Sequence, residues 1–241
     1  MLFSVKDLHV KYGKFEAVRG VSFDLNEGEI LAIVGESGSG KSTIAKTLIG
    51  LERPSSGTIM VGPSLRDRRR AQMIFQDAVG SLNPRMKIGS ALQEAISHAG
   101  EGTRTLLSAT KAMPQELLSL VGLSPAVLDQ YPRELSGGQC QRVSIARALA
   151  CHPVALIADE PVSALDVSVQ ARILNLLRDL RSRLGLAILL IAHDLAVVKN
   201  IADKVCVMEH GRFVDVGPAE QVFNNPQSEY TKKLLSAVPR I

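Results

Sequence analysis

The densest run of chemically capable residues is Gly35-Glu36-Ser37-Gly38-Ser39-Gly40-Lys41-Ser42-Thr43. Glycines at this spacing let successive backbone N–H groups converge on one anion, and a helix starting there adds a favourable dipole. An ammonium at Lys41 can then reach the outer phosphates of a nucleoside triphosphate, and the Ser42 hydroxyl can ligate Mg²⁺. The spacing is that of the Walker A pattern, which needs a strand before it and a helix after it. Both are legible. Ile30 to Val34 is an unbroken apolar run, as in strands buried on both faces. From Ser42 to Leu51 the pairs Ile44/Leu48 and Ala45/Ile49 recur at helical spacing.

A second group stands at the end of Val154–Ala158, another fully apolar strand, where Asp159 and Glu160 are adjacent carboxylates. Ligands of parallel sheets bind at the carboxyl ends of the strands. There Asp159 suits a contact to Mg²⁺, directly or through water, and Glu160 suits a general base or water-positioning group for attack on a phosphate. A third group, Leu135-Ser136-Gly137-Gly138-Gln139, opens a helix and offers a second Gly-rich anion site. One phosphate nest serves an ordinary nucleotide enzyme, so a second needs a reason.

With these pieces in this order the chain resembles the ATP-binding cassette (ABC) ATPases, whose LSGGQ signature faces the Walker A loop of a partner subunit. The resemblance implies a Q-loop glutamine at Gln76 (in MIFQD), a D-loop over Ser163–Asp166, a switch histidine at His193, and adenine stacking by Tyr12. It implies catalytic roles for Glu160, His193 and Gln76. ATP would be held by Tyr12, Gly35 through Thr43, Ser136, Gly137, Gly138, Gln139 and Asp166, and Mg²⁺ by Ser42, Gln76 and Asp159. The stretches AVRGVSFDL, SLNPRM, DEPVSALDVSVQA and SEYTKKLLSAVP are similar to ATPase subunits of oligopeptide, dipeptide and nickel importers. Such a subunit works with transmembrane permease subunits, a second ATPase subunit (identical or homologous) and, indirectly, a solute-binding protein. It sits on the cytoplasmic face of the cell membrane. The rival reading is a soluble ABC-type ATPase acting on DNA or ribosomes, and a plain P-loop kinase comes third. Long coiled-coil insertions or paired cassettes would mark the rival, and a kinase has no use for LSGGQ.

The elements that must position these residues follow from patterning. The 241 residues are 46% hydrophobic and 22% charged, an ordinary globular composition that excludes a disordered or collagen-like chain. Aromatics are 4% with no Trp, so the core is aliphatic. The first 25 residues alternate as strands do, with Val21, Phe23 and Leu25 on one face, and a short strand is expected at Thr58–Val61. Leu186–Ala192 forms a third buried strand, and Val205–Glu209 and Phe213–Val216 are joined at His210-Gly211. Helices are expected at Ala91–His98, Gln115–Val121 and Gly138–Ala150, along the stripe Val169, Ile173, Leu177, Leu180 and Leu184, and twice near the end of the chain. The expected fold class is α/β: a P-loop NTPase core with a mostly parallel sheet, an N-terminal antiparallel β part and a helical insertion subdomain. It forms one domain over 1–241, with the insertion at about 82–135.

The net charge of +4 is mild, and only Arg66–Arg70 clusters, which reads as a solvated loop; no nucleic-acid partner is expected. Cys140, Cys151 and Cys206 are an odd number at wide spacing, which fits a reducing compartment and excludes a disulfide framework. Lys6 and Asp7 interrupt any leader-like start, and no apolar run approaches the ~20 residues that span a bilayer, so neither export nor membrane crossing is expected.

Overall fold

A computed structural model describes residues 1–99 and 113–236. Part of the expected insertion, 100–112, and the final residues of SEYTKKLLSAVP lie outside the described residues. The chain runs β1 (Phe3–Tyr12), β2 (Phe15–Leu25), β3 (Ile30–Val34), α1 (Lys41–Leu48), β4 (Ser56–Val61) and β5 (Ala71–Ile74). Then come α2 (Ile88–His98), α3 (Pro114–Leu120), α4 (Gly137–Leu149), β6 (Ala155–Asp159), α5 (Val167–Leu184), β7 (Ala187–Ala192) and α6 (Leu195–Val198). The chain closes with β8 (Lys204–Glu209), β9 (Arg212–Pro218), α7 (Ala219–Asn224) and α8 (Glu229–Ser236).

Two sheets result. The first is antiparallel, in the order β2-β1-β4, with β1 and β2 joined by a tight hairpin in which Tyr12 pairs with Phe15. The second has the order β5-β6-β7-β3-β8-β9, parallel from β5 to β8 and antiparallel only at the β9 edge. Its central strands contain no polar residue until their carboxyl ends because both faces are covered. Ile30, Ala32 and Val34 of β3 pack toward the helices, together with Leu156, Ala158, Ile188 and Leu190. Leu31 and Ile33 pack the other way, with Ile157, Leu189, α1 and the antiparallel sheet. Period-2 alternation therefore builds two cores from one sheet and leaves the carboxyl ends of β3, β6 and β7 along one edge.

Between β5 and α4 the described residues form α2, α3 and two 3₁₀ turns, Pro125–Asp129 and Pro132–Glu134, with no strand. Ser124 caps the first of these turns by accepting the Ala126 N–H. Two elements differ from the sequence reading. The strand β5 went unread because AQMI is four residues long and half-exposed at its start; only its pairing with β6, from Ala71↔Ala155 to Ile74↔Ala158, defines it. The basic cluster is not a featureless loop either: it holds a 3₁₀ turn at Arg68–Arg70, with Arg69 paired to Asp67 at 3.0 Å.

Candidate active site

The loop from Gly35 to Gly40 joins β3 to α1 over a floor of backbone. A Cβ at Gly35 would collide with the Met208 carbonyl oxygen, and one at Gly40 (φ 111°) with the Ala17 carbonyl oxygen. Only glycine lets the loop lie this close while adopting that conformation. Gly40 is also the N-cap of α1 and has no side chain to satisfy the first amides of the helix. The N–H groups of the first turn lack intrahelical acceptors and point to where an anion would sit. The Ser39 hydroxyl, on a residue 6% exposed, is buried without a partner, as a group awaiting a ligand would be.

Lys41 is 3% exposed, and its ammonium donates to the carbonyl oxygens of Gly35 (2.7 Å) and Glu36 (2.8 Å). Burial lowers its pKa, against the pull of Glu160 and Asp159. The next residue, Ser42, donates its hydroxyl to Asp159 Oδ1 at 2.8 Å, bringing together at the end of β6 two hard oxygens that could hold a metal. Burial raises the Asp159 carboxyl; the Ser42 hydroxyl opposes the shift and Glu160 adds to it.

Glu160 follows in a left-handed backbone conformation (φ 45°), which costs a non-glycine residue about 1–3 kcal/mol. Three bonds hold it there: its N–H donates to the Ile191 carbonyl at 3.1 Å, and its own carbonyl accepts the Ser163 hydroxyl at 3.2 Å and the Ser163 N–H at 3.3 Å. The side chain turns into the loop. Lys41 Nζ lies 3.8 Å from Oε1, Gln76 Nε2 donates to Oε2 at 3.1 Å, and His193 Nδ1 stands 3.9 Å from Oε2. The first residue of α1, the segment after β5 and the segment after β7 each bring one group to this carboxylate, which itself follows β6.

The other candidates stand apart. Ser136 caps α4 in a reciprocal capping box: its hydroxyl accepts the Gln139 N–H at 3.3 Å and its N–H donates to Gln139 Oε1 at 2.9 Å. Gly137 lines a cavity of about 380 Å³ that Gln76 and Ser163 also line. Among the described residues no hydrogen bond or ion pair joins Ser136–Gln139 to Gly35–Thr43. Asp166 caps α5 through the Val169 N–H at 3.0 Å, and its carboxyl is held low by the Ser168 hydroxyl and then by that amide. Tyr12 is 44% exposed at the end of β1; burial raises its phenol, with Thr43 opposing and Glu52 reinforcing.

The ABC transporter family profile matches residues 18–163. The chain belongs to the ABC transporter family. This ABC ATPase is 48% identical over 236 residues to the oligopeptide transport ATP-binding protein OppF of Haemophilus influenzae, covering 93% of this chain and 70% of that one. It is 44% identical over 261 residues to OppF of Lactococcus lactis, covering 100% of this chain and 81% of the relative. Among solved structures it resembles cbiO1 of Clostridium perfringens, part of the transporter complex cbiONQ (TM-score 0.79, 28% identity, 99% and 96% of the two chains). It also resembles a dimeric ATP-binding cassette in a post-hydrolysis state bound to ADP and Pi (TM-score 0.73, 28% identity, 90% and 99%). As a member of this family it couples ATP hydrolysis to transport.

In this ABC ATPase two contacts at the site escaped the sequence reading, which placed Ser163 only in the D-loop. The Ser163 hydroxyl bridges Gln76 (3.4 Å) and the Glu160 carbonyl, a link that needs β5 and β6 paired. The Tyr230 hydroxyl reaches the Glu36 amide from the last described helix, and no local signal announces that contact.

Proposed function

We propose that this chain is the ATP-hydrolysing subunit of a peptide importer and that Glu160 activates the water. The observation carrying the reading is the convergence of Lys41, Gln76 and His193 on Glu160, next to the Ser42–Asp159 pair. The loop amides and Lys41 would hold the β- and γ-phosphates. Water attacks the γ-phosphorus, its proton passes to Glu160, and the bond to the bridging oxygen of ADP breaks. Gln76 and His193 orient the water and the carboxylate.

Ser42 and Asp159 suit Mg²⁺, which prefers oxygen and completes its octahedron with water and substrate phosphates. That fits the absence, among the described residues, of any cluster of three or more His, Cys, Asp or Glu side chains able to hold a metal. When bound, the ion neutralises charge developing on the phosphates.

We take 1–241 as one cassette with a helical insertion at about 82–135. Tyr12 would stack on adenine, and Ser136–Gln139 with Asp166 would complete the site of a second subunit. Exposed Phe75 and Val79 flank Gln76 and suit a docking permease. Among the described residues no helix is long and apolar enough to cross a membrane, so transmembrane permease subunits, fed by a solute-binding protein, would carry the solute. The cassette would stand at the cytoplasmic face. The oligopeptide transport proteins it is similar to favour peptide over nickel as the cargo.

Glu160→Gln tests the chemistry. The amide keeps the shape but cannot take the proton, so hydrolysis should fall by about 10²–10⁴-fold while ATP·Mg²⁺ still binds in isothermal titration. Turnover at the wild-type rate would move the role elsewhere, with His193 next. Reconstitution with its permeases in vesicles should show ATP-driven uptake of oligopeptides; uptake of nickel alone would replace the cargo.

A further inference from the structure

The motif SEYTKKLL contributes residues that hydrolysis itself leaves unused, and their contacts lead back to the Walker A loop. Asp215 in β9 is 8% exposed, and its carboxylate accepts from one short stretch of chain: the Gln227 N–H at 3.1 Å, the Ser228 N–H at 2.9 Å and the hydroxyl of fully buried Thr231. The Ser228 hydroxyl accepts the Tyr230 N–H at 3.2 Å, as a residue capping the start of α8 does. The start of α8 is thus pinned in both position and rotation. Tyr230, between pinned neighbours, packs its ring on the core and accepts the Glu36 N–H on its hydroxyl at 3.1 Å. The carbonyl of the same Glu36 accepts the Lys41 ammonium at 2.8 Å and the Ser39 N–H at 3.2 Å. One loop residue is therefore gripped from α8 on its amide side and from within the loop on its carbonyl side.

We infer that Tyr230 is a positioning residue for nucleotide binding: its hydroxyl holds Glu36 so that the loop and Lys41 stand ready for phosphate before nucleotide arrives. A phosphate loop must present its free amide donors to the anion, and ordering it on binding costs affinity. A bond from a pinned helix outside the loop removes part of that cost. The inference rests on Gly35–Thr43 being the nucleotide loop.

Tyr230→Phe keeps the ring and the Asp215 anchor and removes only the hydroxyl. The Kd for ATP and for ADP should rise equally, by about 2- to 12-fold, the worth of one hydrogen bond. The two shift together because the contact acts on the loop and not on the γ-phosphate. The loss should appear in KM rather than kcat. Hydrogen exchange of the Glu36 amide in the nucleotide-free protein should speed up while the segment 212–236 exchanges as in wild type. Asp215→Asn, which loosens the anchor and leaves Tyr230 intact, should speed exchange in α8 and at Glu36 together and also weaken ATP binding. If wild type binds no ATP, the reading of the loop is wrong. If wild type binds ATP and Tyr230→Phe leaves both affinity and Glu36 exchange unchanged, Tyr230 is packing alone. Loosened α8 with wild-type ATP affinity in Asp215→Asn would overturn the inference as well.

Discussion

Asp159 is a carboxylate kept where water is scarce, and its burial raises its pKa above the ordinary 3.8. The folded state holds this proton more tightly than the unfolded chain does. Ionisation therefore costs stability, and the cost grows as pH rises from 3.8 through the higher folded value. Asp159→Asn keeps an oxygen to accept the Ser42 hydroxyl and removes the charge. In the absence of Mg²⁺ its melting temperature at neutral pH should equal or exceed that of wild type, the difference closing as the pH drops below about 4. Mg²⁺-dependent hydrolysis should be lost. A variant that melts below wild type at neutral pH would show that the charge is stabilised by its surroundings after all.

The helix α4 presents Ser136 in two possible capacities, as the cap seen in its hydrogen bonds and as the proposed ligand of a second subunit's nucleotide. Substitution separates them. Ser136→Ala leaves a first-turn amide unsatisfied and should cost about 1 kcal/mol in urea unfolding. Ser136→Asp supplies an equivalent cap, so stability should return. Its negative charge would face phosphate, so ATPase activity should not return. If the aspartate variant hydrolyses ATP like wild type, the serine serves the helix and nothing else.

At the scale of the whole molecule, no hydrogen bond or ion pair among the described residues joins Gly35–Thr43 to Ser136–Gln139 within one chain. If, as proposed, two chains pair head to tail, each Gly35–Thr43 loop would meet the other chain's Ser136–Gln139. The specific ATPase activity of the isolated protein should then rise with its concentration and level off as the dimer fills. A rate strictly proportional to concentration, starting from dilute monomer, would mean that one chain suffices. Ser163 and Gln76 share a cavity with Gly137, so closure of the proposed dimer would be felt at Glu160.

The glycine-rich loop over 35–43, the apolar strands that flank it and the acidic end of β6 are legible in the sequence, because these depend on neighbours a few residues apart. An unbroken apolar run, a glycine at fixed spacing and a 3.6-residue stripe each report local geometry directly. What depends on distant pairing becomes visible in the folded chain alone. Strand β5 exists through its ladder to β6, more than eighty residues away, and that ladder delivers Gln76 to Glu160. The left-handed turn at Glu160 is imposed by bonds to Ile191 and Ser163 and has no glycine to signal it. Tyr230 meets Glu36 across 194 positions, a contact set by where α8 is anchored on β9. Local patterns carry no information about such meetings, because their stabilisation appears only after the intervening chain has folded.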